Sequence, residues 1–279
     1  MKNLMINKYT LLKIILISFI FLLHCNYYAQ NYQITYEVKF KPTKEYNSHL
    51  KEYMVLKIIK GQSIFYNLNK EKIDSLVDKN NFKALSSITS SLLRLKVSKN
   101  LYKDHSNVGI NFNQFNYWYK EKDPQYYNLK KYDIYKDYTT NEAFTNFGKR
   151  KWHVLYTGDI PITAGPYVFS GLPGLVIKAE SMDGDYTFEV IEVKKINDTP
   201  LFTENKENIK KEKLMKNIDD FIKDPASHRI NFKNDIGDSF IYEFNGAKDE
   251  SYNSANESIK KIFQKFNNYP DKDIPIITF

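Results

Sequence analysis

The sequence predicts an α+β fold in which a mostly antiparallel, curved β-sheet comes first and helices come late in the chain. Three observations support this prediction. Residues 32–40 alternate apolar and polar side chains with the period of a half-buried strand. Short polar breaks separate the β-rich stretches that follow, so neighbouring strands can pair as a half-barrel-like meander. After Thr199 and Pro200 the apolar residues recur at helical spacing instead.

The predicted strands cover most of the first 200 residues. After residues 32–40, β-rich stretches occupy residues 53–59, 63–68, 92–97, 110–119 and 126–138. Residues 175–179 and 186–193 flank Asp183 and Gly184, and this glycine permits the positive φ that a tight hairpin turn needs. The acidic residues there lack the twelve-residue ligand spacing of a calcium loop, so a plain turn is the favoured interpretation.

Three helices are predicted after residue 200. Thr203 is expected to cap the first, Asp224 and Pro225 open a short second helix, and Ser254 with Glu257 forms a capping box for the third. The apolar faces of the first and third helices consist of Ile209, Leu214, Ile218 and Phe221, and of Ile259, Ile262, Phe263 and Phe266. We interpret both faces as core rather than as partner surfaces.

The first 29 residues predict export. Three lysines precede an apolar run over residues 14–23, and the small residue Ala29 follows, which is the layout of a secretory signal peptide. The run is shorter than the roughly 20 residues of a membrane-spanning helix, so no permanent transmembrane span is expected. Cleavage after Ala29 would leave residues 30–279 as one domain in the periplasm or cell envelope. The alternative is a lipoprotein anchored through Cys25, which bulky His24 disfavours.

The composition excludes several kinds of protein. Because Cys25 is the only cysteine, cleavage after Ala29 excludes disulfides, thiol catalysis and cysteine metal sites together. The formal charge of +8 falls to about +5 without the leader, which carries three lysines and no acid. The remaining lysines are scattered, so no nucleic-acid partner is predicted.

No motif nominates a catalytic, metal-binding or cofactor-binding residue. The sequence contains neither a serine-nucleophile turn nor a phosphate-binding loop. The histidines beyond the leader lie too far apart for a spaced metal motif, and each is interpreted as an ordinary surface or core residue. They are His49, His105, His153 and His228. No metal, cofactor or enzyme activity is therefore predicted.

Residues 152–178 have the highest density of turn-forming residues in the chain. They contain DIPI at 159–162, GPYVF at 165–169 and GLPGLV at 171–176. In this order and spacing, the motifs resemble the GLPGLI family of exported Bacteroidetes proteins. The resemblance extends to YQITYEVKF at 32–40, to Gly148 and Arg150 before Trp152, and to the late helices and IPIITF tail.

The resemblance implies export but no established activity. Two departures concern residues that family members often carry. Leu155 stands where a second tryptophan is common, and Thr139 and Thr140 stand near the usual position of a cysteine.

Two interpretations of the motif loop remain open. In the first, its apolar groups plug one end of the curved sheet, and Asp159 and Arg150 form a local ion pair or cap. In the second, the loop forms the rim of an apolar pocket. In both, Pro173 and Gly174 form a type II turn with positive φ at the glycine, and Gly171 allows a close backbone approach. The candidate ligand-binding residues are Trp152, Tyr156, Asp159, Pro161, Gly165, Pro166, Tyr167, Phe169, Gly171, Leu172, Pro173 and Gly174.

Three functions are compatible with these features. The favoured one is a non-enzymatic binding or carrier module of the cell envelope, for an apolar ligand or an envelope protein. The second is an envelope hydrolase with an unassigned carboxylate or histidine site. The third is a structural docking protein at the outer membrane, which would present an exposed apolar patch.

Overall fold

The computed structural model describes residues 31–79, 93, 95–112, 115–197, 208–227, 230–233, 239–242, 250–264 and 267–274. Within them the chain forms an 11-stranded sheet, a two-stranded sheet, three α-helices and one 3-10 helix. The strands are β1 (Asn31–Phe40), β2 (Leu50–Ile59), β3 (Gln62–Asn67), β4 (Leu95–Asn100), β5 (His105–Phe112), β6 (Phe115–Lys122), β7 (Tyr126–Tyr135), β8 (Tyr138–Phe147), β9 (Arg150–Thr157), β10 (Leu175–Ser181), β11 (Tyr186–Ile196), β12 (Ile230–Lys233) and β13 (Ser239–Tyr242). The helices are α1 (Asn69–Asp78), α2 (Lys211–Lys223) and α3 (Glu250–Gln264), and the 3-10 helix is Pro225–Ser227.

The large sheet consists of two antiparallel meanders that meet where β1 pairs with β11. Its strand order is β6-β5-β4-β3-β2-β1-β11-β10-β9-β8-β7. β6 and β7 lie at opposite ends of this order, yet only residues 123–125 connect them. A connection of this length spans at most about 14 Å. The sheet must therefore curl until its two ends approach each other, as the predicted curved meander requires.

The inner face of this sheet is the hydrophobic core. Every second residue of β1 points into it, and Ile34, Tyr36, Val38 and Phe40 are fully buried. Helix α2 contacts β6 and buries an apolar face against the same core. The buried residues of that face are Leu214, Ile218 and Phe221, as predicted, whereas Ile209, also predicted on it, precedes the helix and is partly buried. Burial of each such side chain contributes roughly 1.5–3 kcal/mol to helix docking.

Residues 267–274, called the C-terminal strap below, fasten several strand connections together. The N–H groups of Asn267 and Asn268 donate to Pro42 O at 3.0 and 3.1 Å, just beyond the end of β1. The N–H of Lys272 donates to Gly148 O at 2.9 Å in the β8–β9 turn. The strap therefore joins segments that are distant in sequence at one end of the sheet.

Two stretches predicted as single strands are hairpins. Residues 110–119 span parts of β5 and β6, and residues 126–138 span β7 and the start of β8. In the second hairpin Lys136 and Asp137 make the turn with φ of 47° and 68°. Tight hairpin turns need this left-handed backbone, which glycine or asparagine normally supplies. Because residues 136 and 137 are neither glycine nor asparagine, this turn was not evident from the sequence. Strand β9 was also not predicted.

In the described residues after residue 200, the helices agree with the prediction in number but differ at their boundaries. α3 begins at Glu250, so Ser254 lies inside the helix rather than at its cap. α1 was not predicted; the side chain of Asn67 accepts a hydrogen bond from Asn69 N–H at 2.9 Å and starts it with an Asx turn. Thr203 and the side chains of the α3 stripe lie outside the described parts, as does the predicted leader, residues 1–29. None of the described helices is long and apolar enough to cross a membrane.

Candidate functional site

The loop between β9 and β10, residues 158–174, contains most of the residues predicted to bind a ligand, and it folds onto the inner face of the sheet. The buried members of the predicted set are Trp152, Tyr156, Gly165, Pro166, Tyr167, Phe169, Leu172 and Gly174, and the exposed members are Asp159, Pro161, Gly171 and Pro173. Trp152 and Tyr156 belong to β9 rather than to the loop. The aromatic residues of this set therefore lie in the core.

Part of the loop takes the place of a neighbouring strand beside the start of β10. Val176 N–H donates to Ala164 O at 2.9 Å, and Leu175 N–H donates to Ile160 O at 3.1 Å. The carbonyl of Val176 accepts from the Tyr36 hydroxyl at 2.7 Å. Consequently, β10 pairs with β11 over three residue pairs near its C-terminal end. The loop and Tyr36 satisfy the backbone groups that a full ladder would otherwise pair.

Gly174 requires glycine both for its backbone angle and for its surroundings. Its φ is +146°, and a Cβ there would lie 2.6 Å from the carbonyl carbon of Thr157 and closer still to its oxygen. The predicted positive φ is therefore confirmed. The predicted type II turn is wrong, because Gly174 N–H donates to Leu172 O at 2.8 Å and forms a three-residue turn about Pro173. The N–H of Leu175, which a type II turn would use, is bonded to the loop.

The close backbone approach predicted at Gly171 occurs at Gly165 instead. A Cβ on Gly165 would collide with the backbone oxygen of Phe169 and would lie 2.7 Å from the Cβ of Val176. A Cβ on Gly171 would have Asp123 Oδ2 as its nearest neighbour at 3.9 Å, so space is ample there. Its φ of +93° is the reason for that glycine.

Trp152 is the centre of an aromatic cluster that the loop covers. Its ring is fully buried and lies 4.7 Å from the Phe169 ring and 6.1 Å from the Phe188 ring, centroid to centroid. The indole N–H donates to Phe147 O at 3.1 Å, which satisfies its one donor. The ring offers no exposed face for stacking, which agrees with the plug interpretation of the loop.

The predicted ion pair between Asp159 and Arg150 does not form. Asp159 is exposed and accepts a hydrogen bond from Thr139 N–H at 2.9 Å, which ties the loop to β8. Arg150 lies at the other end of β9 and donates to Asp183 and, at 2.8 Å, to Asp185. Sequence proximity suggested the wrong partner, because an eight-residue strand separates the two residues.

Arg150 instead fixes the C-terminal strap to the β10–β11 turn. Its guanidinium donates to the side chain of Asn268 and to Tyr269 O, and it lies 5.2 Å from the centroid of the Tyr186 ring. Although partial burial raises the pKa of Asp183, hydrogen bonds from Lys272 and Ser181 and the charge of Arg150 together lower it to about 2. We interpret this cluster as structural.

A small cavity separates the motif loop from β2, β3 and β4. It has room for about one water molecule. Its lining residues are Leu56, Ser63, Phe65, Val97, Lys99, Leu101, Ala164, Gly165, Tyr167 and Ser170. Gly165 and Tyr167 are the predicted binding residues that line it. Ala164 and Ser170 belong to the same loop but were not among the predicted residues, and the other lining residues come from β2–β4 and the residue after β4, which are distant in sequence.

The polar wall of this cavity contains a buried lysine. The side chain of Lys99 is 5% exposed, and its ammonium lies 2.5 and 2.6 Å from the two carboxylate oxygens of Asp123. It also donates to Lys103 O at 2.9 Å. A buried charge costs several kcal/mol unless it is paired, so Asp123 is what permits a lysine here.

Tyr167, the tyrosine of the GPYVF motif, has a backbone conformation that is rare for an aromatic residue. Its φ is +54°, in the left-handed region, and its side chain is 3% exposed. Its hydroxyl interacts with the hydroxyl of Tyr119, which is also buried. Burial raises the pKa of this hydroxyl well above its usual range, and the charges of Asp271 and Glu121 raise it further. Strained residues persist where the surrounding structure holds them, often at ligand sites.

His153 lies between two carboxylates on the outer face of the sheet, an arrangement that was not predicted from the sequence. Its Nε2 is 2.7 Å from Glu142 Oε2, and its Nδ1 is 3.1 Å from Glu180 Oε1. Lys130 pairs with Glu142 at 2.8 Å, and Lys178 pairs with Glu180 at 2.6 Å. The alternation of polar and apolar residues indicates only which face of its own strand each residue occupies. Residues 142, 153 and 180 become neighbours through the register of β8, β9 and β10, which the sequence does not reveal.

This arrangement favours proton transfer rather than metal binding. The two carboxylates contact opposite nitrogens of the imidazole, so they cannot share one ion with it. No group of three potential ligands suited to a metal occurs in the part of the chain that the structure describes. Hydrogen bonds from Lys130 and His153 lower the pKa of Glu142, so this carboxylate is ionised at neutral pH. An ionised glutamate can orient a histidine as a general base.

Comparisons with known proteins identify no family. No family model and no curated protein matches the sequence. Two crystal structures of PNGF-II, in space groups P21 and C2, are similar over 67% and 66% of this chain, with TM-scores of 0.46 and 0.43 and identities of 17% and 19%. The similar regions cover 33% and 31% of those chains, so this chain spans about a third of their length. Neither similarity supports an inference about activity.

Proposed function

We propose that this chain is an exported cell-envelope binding module of the GLPGLI type, in which the motif loop forms one wall of the ligand site. The observation that carries the proposal is the convergence of Gly165, Tyr167 and Ser170 with a buried lysine on one cavity. The strained backbone at Tyr167 adds support, because such strain often occurs at ligand sites. The leader and the motifs support export.

The lining of the cavity indicates an apolar ligand with one polar end. Leu56, Phe65 and Val97 provide apolar surface, whereas Ser63 and Ser170 provide hydroxyl groups. Pockets for small organic ligands occupy roughly 300–1,000 Å³, far more than the space for one water. Binding therefore requires the loop and β2–β4 to separate, with the released apolar surface covered by the ligand.

The test is a search for a ligand that purifies with the protein from its own cell envelope, with detection by mass spectrometry. The blocking variant is Leu101→Trp, since Leu101 is partly exposed and lines the cavity. The matched control is Tyr102→Trp, which changes the adjacent, 67% exposed residue outside the lining. We expect the same compound with the wild-type protein and the control, and its loss from Leu101→Trp. An empty wild-type protein, or equal retention by both variants, contradicts the proposal.

A second candidate function, an envelope hydrolase, rests on the Glu142–His153–Glu180 arrangement. Glu142 is 9% exposed and anchored, whereas Glu180 is 34% exposed. Movement of Glu180 would free His153 Nδ1 to accept a proton from water, with Glu142 holding the other nitrogen. Hydrolysis of peptide or glycan substrates that disappears in His153→Gln and persists in His105→Gln would favour this function. Equal hydrolysis by the two variants would exclude it.

A further inference from the structure

The buried lysine in the cavity wall has no hydrogen-bond donor left for a ligand. Lys99 Nζ lies 2.5 and 2.6 Å from the two carboxylate oxygens of Asp123, and it donates to Lys103 O at 2.9 Å. An ammonium group has three N–H donors, and these three contacts use all of them. A ligand with a negative end would therefore find the positive charge of the cavity already neutralised.

The other polar groups at the cavity are uncharged hydroxyls. Ser63 and Ser170 line it, and Ser170 Oγ lies 3.5 Å from Val168 O, at the outer limit for a hydrogen bond. Ser63 and Ser106 are the cross-strand partners of Lys99 on β3 and β5, so all three share one face of the sheet. Ser106 is 1% exposed, and its hydroxyl has no hydrogen-bond partner within the described residues. Buried hydroxyls are normally paired, so this wall can still accept a neutral hydrogen-bonding group.

The charges near the cavity also oppose an anion. Tyr167 lines the cavity, and burial is the main cause that raises the pKa of its hydroxyl. The negative charges of Asp271 and Glu121 raise this pKa further, although Lys211 contacts both carboxylates at 2.7 and 2.8 Å. Carboxylates that hinder the ionisation of a tyrosine would equally hinder the approach of a negative ligand group.

We propose that the ligand of this cavity is an aliphatic chain with an uncharged hydroxyl or carbonyl end, and that Asp123 determines this specificity by neutralising Lys99. This inference rests on the proposed binding function. The lining serines hydrogen-bond the polar end, and the apolar lining residues contact the chain. A carboxylate or phosphate end would be buried without a counter-charge, which is far less favourable than burial of a hydrogen-bonded hydroxyl group.

The test compares two ten-carbon compounds by isothermal titration of the purified protein. The compounds are 1-decanol and sodium decanoate at about pH 8, where the carboxylate is ionised. We expect 1-decanol to bind about tenfold or more tightly than decanoate, because only decanoate would bury an unpaired charge. Ser63→Ala should weaken the binding of 1-decanol about fivefold through the loss of one hydrogen bond. Ser48→Ala, which changes an exposed serine outside the lining, should leave it unchanged.

The specificity itself is tested by releasing the lysine from its partner. Asp123→Asn leaves Lys99 without its carboxylate, so the affinity for decanoate should rise about tenfold or more. Asp104→Asn makes the same charge change at a 90% exposed carboxylate and should not alter the preference. The double variant Asp123→Asn with Lys99→Met removes both charges and should prefer 1-decanol again.

The outcomes distinguish this inference from the function on which it rests. Decanoate binding to the wild-type protein as tightly as 1-decanol, or no gain for decanoate in a folded Asp123→Asn, overturns the specificity and leaves a binding module in place. Binding of neither compound contradicts the proposed function as well. If Asp123→Asn does not fold, the wild-type preference and its dependence on Ser63 decide the question.

Discussion

Gly174→Ala is predicted to be among the most destabilising single-methyl additions available in this chain. An alanine at φ +146° costs about 1–2 kcal/mol. The added methyl would also lie 2.6 Å from the carbonyl carbon of Thr157, and relief of such crowding costs about 1–3 kcal/mol more. We expect a loss of about 3 kcal/mol in the free energy of unfolding, measured by denaturant titration with tryptophan fluorescence, since Trp152 lies beneath the loop.

Two other glycines separate the contributions of backbone angle and crowding. Gly184 has φ +73° with no atom within 4 Å of an added Cβ, so Gly184→Ala should lose only about 1 kcal/mol. Gly158 has open space and no positive φ, so Gly158→Ala should change stability by less than about 0.5 kcal/mol. Equal losses for Gly174→Ala and Gly184→Ala would refute the close packing of the loop against β9.

Three further predictions concern the core and the strap. Arg150→Met should lose about 3–5 kcal/mol in the free energy of unfolding, measured by denaturant titration, because it leaves the buried partners of the guanidinium unpaired. Lys149→Met, which removes an exposed ion pair with Asp273, should lose less than about 1 kcal/mol. Similar losses in the two variants would contradict the structural role of Arg150. Trp152→Ala should lose about 3–5 kcal/mol by the same measurement, and a loss below about 1 kcal/mol would place the ring outside the core. Because the pKa of Asp183 is lowered to about 2, its contribution to stability is present above its unfolded pKa near 4 and is lost as the pH falls toward 2. In Asp183→Asn the melting temperature should therefore depend less on pH between about 4 and 2 than in the wild-type protein. The same pH dependence in both proteins would contradict the lowered pKa.

The sequence predicted the structure correctly where a feature depends on a few neighbouring residues. Gly174 was correctly expected to need positive φ, and Leu214, Ile218 and Phe221 were correctly placed on a core-facing helix. The same local rules were wrong about turn type and about the partner of Arg150. Both depend on which distant backbone and side chain arrive at that point, and a single sequence contains no register between β9 and the strap.

The sequence identified Gly165 and Tyr167 as candidate binding residues, but it could not identify the residues that surround them or the partners of His153. Lys99 and Tyr167 are 68 residues apart, and they meet only because the loop folds across β2–β4. His153 looked like a lone histidine until the pairing of β8, β9 and β10 placed Glu142 and Glu180 on either side of its ring.

The sequence by itself determined a β-rich chain with late helices and a stiff loop. These features depend on the spacing of apolar residues and on the backbone preferences of glycine and proline, which are both set within a few residues. The tertiary structure alone decided how far the sheet curls, which face the loop covers, and which charges pair. These depend on strand order and register, and a shift of one residue would exchange the buried and exposed sides of every strand.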